Sequence, residues 1–139
     1  MSATLRSRLA TAHAVAVGLL VALIMVQAIL VAQTQLGQVS IEVHGYVGNV
    51  SFAVGFVVAI LAFLARLPAG LFFMSAILLA LLFAQTGIGY VGRTVPEAAA
   101  WHVPLGVGIL GLSTATLTAA VVRLTAQRGR RPAPQSARA

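Results

Sequence analysis

The sequence predicts an all-α integral membrane protein, a four-helix antiparallel bundle built by duplication of a two-helix unit. Three observations carry that expectation. Of the 139 residues, 60% are hydrophobic and only 8% charged, against about 25% charged in a soluble domain. So few charges cannot cover a water-facing surface. Apolar residues fall into four runs, each close to the roughly 20 residues that cross a hydrocarbon core. Finally, a polar pattern recurs: Gln27, His44 and Gly48 return 58 positions later as Gln85, His102 and Gly106.

The first helix is expected at about 9–33. Arg6 and Arg8 precede an apolar run from Leu9 to Ala32. A signal-peptide core is only about 7–15 residues long, so this run reads as a membrane span. The second helix is expected at about 43–67 and the third at about 68–91. Only Arg66–Gly70 separates them, a connection short enough to force antiparallel neighbours. Pro68 suits a first helical turn, where its missing N–H would lack a partner anyway. The fourth helix is expected at about 99–125. Two longer loops, 33–42 (QTQLGQVSIE) and 91–100 (VGRTVPEAAA), carry the only acidic residues, Glu42 and Glu97. These helices make one transmembrane domain, 1–126. The remainder, 127–139, is polar and rich in Pro and Arg, and is expected to be a disordered basic tail.

The formal charge of +7 comes from nine arginines and no lysine. Eight lie near the termini or at the short middle connection, and only Arg93 lies in a long loop. Positive charge collects in cytoplasmic loops. Both termini are therefore expected in the cytoplasm of a prokaryotic cell, in its plasma membrane, with the long loops outside. The basic tail is expected to meet anionic lipid rather than nucleic acid. Cysteine is absent, which excludes disulfides and thiolate chemistry. There is no catalytic triad, acidic metal cluster or phosphate loop. The string Gly87-Ile88-Gly89-Tyr90-Val91-Gly92 matches a dinucleotide fingerprint, but it ends a membrane helix rather than a strand.

The repeated constellation places Gln27 and Gln85 near the outer ends of the first and third helices. His44 and His102 begin the second and fourth. Alternate helices of such a bundle are diagonal, with axes roughly 11–14 Å apart when neighbours pack at roughly 8–10 Å. That gap is too wide for a His–His hydrogen bond but suits two imidazoles with a flat macrocycle between them. Gly48 and Gly106 lie one turn deeper on the same faces, where a missing side chain lets a porphyrin plane approach the backbone. Gly45, Gly108 and Gly111 extend that small surface. The expected cofactor is one haem b with iron between His44 and His102, since bis-His ligation is an established haem geometry. Gln27 and Gln85 are candidates for helix-bridging, for bonding a ligand imidazole, or for reaching propionates. Arg93 is a candidate propionate partner, or a partner of Glu97. His13, whose repeat counterpart is Leu71, reads as an interfacial residue without a ligand role.

Through His44 and His102, on a second and a fourth helix, the chain resembles one half of a haem A synthase over about Leu9–Leu124. Glu42, two positions before His44, resembles the acidic residue that the family carries before its first ligand histidine. The resemblance implies a four-helix bundle and histidine ligation of haem. That family has two such bundles and this chain has one, so it implies haem binding rather than synthase activity. The expected function is therefore electron transfer or haem handling, with a redox or membrane-complex partner. The alternative is a non-catalytic structural or assembly subunit of a larger membrane complex. A small transporter is disfavoured, because no acidic residue lies at mid-membrane.

Overall fold

The computed structural model describes residues 1–129, which form four helices and no strands: α1 (Ala3–Gln35), α2 (Ile41–Leu64), α3 (Ala69–Val91) and α4 (Pro96–Gly129). Each is long and apolar enough to cross a membrane. Sequential helices are neighbours and α1 closes the ring against α4, while the diagonal pairs do not approach at the backbone. This is the antiparallel bundle that the sequence predicts. Large apolar side chains cover its outside, among them Val15, Phe63, Phe83 and Val107. In water such a surface would aggregate; facing lipid it needs no cover, so the chain is a membrane protein. Both described ends of the chain and the α2–α3 turn lie at one end of the bundle, here the turn end. The two longer connections lie at the other, the loop end.

α2 ends at Leu64, short of the expected 67, while α1 and α4 run past expectation. α1 starts at Ala3, not near residue 9, because Ser2 caps it: its hydroxyl accepts a hydrogen bond from the Leu5 amide at 3.2 Å. α4 starts at Pro96 and reaches Gly129, well beyond 99–125. Proline at a first helical position, an acidic residue in the first turn and three alanines favour helix, so most of the second expected loop is helical. Gln127–Gly129 are helical rather than part of a disordered tail, and residues 130–139 lie outside the described residues. For α1 and α4 the apolar run marks what sits in hydrocarbon, and the helix runs past it.

Two ends share one device. α2 ends with Arg66 at φ 50°; the Arg66 amide donates to Phe63 and the Leu67 amide to Ala62. α1 ends likewise at Gly37, φ 70°, with its amide bonded to Thr34 and that of Gln38 to Gln33. These left-handed caps satisfy the last carbonyls.

The core is a central cluster of Leu20, Leu78, Leu82 and Ile109 and a smaller one of Ala14, Leu71 and Ala120 toward the turn end. Leu20 and Leu78 are counterparts at the 58-residue offset, and both are fully buried in the same cluster. The duplicated unit thus meets its own copy on the bundle axis. Ser51, Ser113 and Thr116 are buried beside this core. Each donates its hydroxyl to a carbonyl of its own helix, at 2.7–3.0 Å, which satisfies the donor without crossing a helix interface.

Candidate functional site

The loop end of the bundle holds the repeated residues. His44, in the first turn of α2, and His102, in the second turn of α4, reach across the diagonal. Their ring centroids are 6.0 Å apart, with the planes inclined at 65°. The two rings therefore meet directly. Two imidazoles on opposite sides of one metal, at about 2.0–2.1 Å each and with each nitrogen about 1.1 Å from its ring centre, would stand about 6.2–6.4 Å apart. The observed 6.0 Å is a little shorter, so the rings would part slightly to admit a metal between them.

The polar atoms of the site are incomplete. The Nδ1 atoms of His44 and His102 and the Oε1 atoms of Gln27 and Gln85 are all buried without a hydrogen-bond partner. A buried polar group left unpaired costs about 1–3 kcal/mol, and more in hydrocarbon. Four such atoms, two from each copy of the repeat, at one end of so small a bundle mark a place that a bound group would complete.

The glycines have a different role from the one expected. A Cβ on Gly48 would lie 2.8 Å from the Gln27 Nε2 atom, and one on Gly106 3.2 Å from that of Gln85. The notches admit glutamine amides, not a porphyrin plane. The reason is proximity: α1 packs on α2 and α3 on α4, so the nearest long polar side chain fills the gap first. Gln85 also donates through Nε2 to the His102 carbonyl, at 2.9 Å. That carbonyl lies two residues before Pro104, which has no N–H to offer the Ala100 carbonyl one turn back.

Two further glycines shape the site. A Cβ on Gly89 would come within 2.8 Å of the His102 ring, and one on Gly45 within 2.9 Å of the Arg93 guanidinium. Gly45 therefore seats Arg93 rather than a cofactor, and Gly89 was not singled out by sequence reasoning; its only signal was membership of the false fingerprint. Gly108 and Gly111 meet no side chain within 4 Å and take no part. Arg93 stacks over Tyr90, 5.1 Å from its ring centre, and Asn49 Nδ2 donates to the Tyr90 hydroxyl at 2.9 Å. Arg93 is thus held against α2, beside His44.

His13 faces the bundle interior. It is fully buried, and its Nε2 lies 2.9 Å from Ser75 Oγ, far from the other histidines. No group of three or more His, Cys, Asp or Glu side chains that would suit a metal ion exists among the described residues. The chain matches no protein-family model, and neither a curated protein nor a solved structure shows significant similarity to it.

Proposed function

We propose that this chain is a membrane b-type haem protein in which His44 and His102 ligate one iron from opposite sides. The carrying observation is the convergence of two half-buried imidazoles, 6.0 Å apart, each with a buried and unpartnered Nδ1. Bis-His ligation leaves the iron no open position, which suits electron transfer or haem handling rather than oxygen chemistry. Gln85, which donates to the His102 carbonyl, and its counterpart Gln27 would serve as outer-shell partners of the ligand histidines. Arg93, held beside His44, would pair with a propionate. The Gln27 and Gln85 amides fill the space beside Gly48 and Gly106, and a macrocycle held between the rings would need them to turn aside. The arginine distribution supports a prokaryotic plasma-membrane protein with cytoplasmic termini, which would put the haem in the outer half of the bilayer.

The test is a reduced-minus-oxidised absorption spectrum of detergent-extracted protein, made with ample haem supply. The parent should show a low-spin b-type spectrum. His44→Ala and His102→Ala should each yield five-coordinate iron or no haem. A parent that carries no haem overturns the reading. A structural or assembly subunit would then stand in its place, a role favoured by the interhelical bond from Gln85 to the His102 carbonyl.

A further inference from the structure

The turn end of the bundle holds a polar cleft that the histidine pair does not use. There α1 packs against α4, and each helix contributes one face. Ser7 and Thr11 lie a turn apart on α1, as do Leu124, Gln127 and Arg128 on α4. These side chains line a cleft of about 220 Å³, far above the roughly 10–15 Å³ that a single water needs. Its depth in the bilayer follows from the apolar runs. Leu9, between Ser7 and Thr11, opens the first run, and Leu124 closes the last. The cleft therefore straddles the boundary between hydrocarbon and headgroups, where lipid phosphates lie.

Its charge is uncompensated. The only acidic side chains, Glu42 and Glu97, stand in the first turns of α2 and α4, at the loop end. Arg128 thus has no acidic side chain near it, and a guanidinium matches the oxygens of a phosphate. The hydroxyls narrow the ligand further. Thr11 Oγ1 donates to the Ser7 carbonyl at 3.1 Å, so toward a ligand it can only accept. The occupant must therefore carry an anionic phosphate and a separate donor. We propose that this cleft binds the headgroup of one phosphatidylglycerol. Its phosphodiester would accept from Arg128 and Gln127, and a glycerol hydroxyl would donate to Thr11. Its acyl chains would follow the outward-facing Val15 and Val121 on the same two helices.

The proposal does not rest on the haem reading. Its test is native mass spectrometry of the delipidated full chain in a neutral detergent, titrated with single lipids. Phosphatidylglycerol should fill one saturable site. It should bind about fivefold tighter than phosphatidylmethanol, which keeps the charge but lacks the hydroxyls. It should bind tighter still than zwitterionic phosphatidylcholine. Thr11→Val should erase the preference over phosphatidylmethanol alone. Arg128→Gln should weaken both anionic lipids about fivefold. Arg66→Gln removes the same charge from the α2–α3 turn and should change neither. Equal affinity for phosphatidylglycerol and phosphatidylmethanol in the parent overturns the proposal. An equal loss in Arg66→Gln overturns it in favour of diffuse charge attraction. Unchanged binding in Arg128→Gln overturns it too, leaving that arginine only to balance the last carbonyls of α4. Displacement of the lipid by millimolar inorganic phosphate would identify free phosphate as the ligand instead.

Discussion

Gln27 and Gln85 share a position in the repeat but not the same bonds. Gln85 bridges to the His102 carbonyl, whereas no equivalent bond joins Gln27 to the His44 carbonyl among the described hydrogen bonds. Interhelical bonds of this kind contribute about 0.6 kcal/mol on average and about 1.7 at most. Gln85→Ala should therefore destabilise the bundle by about 1 kcal/mol more than Gln27→Ala, read from unfolding in a denaturing detergent. Equal losses would show that the Gln85 bond contributes nothing net. The glycine notches give a second expectation. Gly48→Leu should collide with the Gln27 amide, 2.8 Å from the first added carbon, and lower stability and, under the proposed haem reading, haem content. Removing the amide as well, in Gly48→Leu/Gln27→Ala, should recover much of the lost stability. A double variant no better than the single one would mean that the introduced leucine meets backbone instead. These residues stood out in the sequence because a polar side chain is costly in hydrocarbon and seldom present without a reason. Their contacts did not, since a glycine's vacancy is filled by whichever neighbour the helix rotation brings nearest.

At the scale of the element, the end of α2 carries a local conflict. Its left-handed cap position is Arg66, where the Cβ of an L-residue crowds the following carbonyl at a cost of about 1–2 kcal/mol. α1 meets the same need with Gly37. Arg66→Gly should raise thermal stability by about 1 kcal/mol in detergent, and a drop would show that the arginine side chain makes a contact worth more than the strain. Membrane insertion offers a reason for keeping it, since Arg66 supplies the only positive charge on the α2–α3 turn. Helix ends were also where apolar patterning misled. It located the spans, but Ser2 and Pro96 start helices outside them, and only capping and propensity reveal that.

At the scale of the whole molecule, the arginine distribution predicts an orientation with both termini in the cytoplasm. A cysteine introduced at Ser40 or Thr94 should react with an impermeant maleimide in intact cells. Ser2→Cys should react only after the membrane is opened. Labelling of the Ser2 variant in intact cells would reverse the orientation and move the histidine pair to the cytoplasmic side. The duplicated pattern also acquires a physical meaning at this scale. Leu20 meets Leu78, and His44 meets His102, because like positions of the two copies converge on the bundle axis.

Composition and periodicity alone determined four spans, an antiparallel order and a matched pair of histidines at one end. Those are consequences of hydrocarbon thickness and of a short α2–α3 turn, both one-dimensional constraints. Only the tertiary structure decided that the rings touch, that the glycines receive amides, and that His13 is buried against Ser75. Each depends on how far every helix turns about its own axis. Packing among four helices sets that rotation, and in a chain this uniformly apolar almost any face is hydrophobic enough to turn inward.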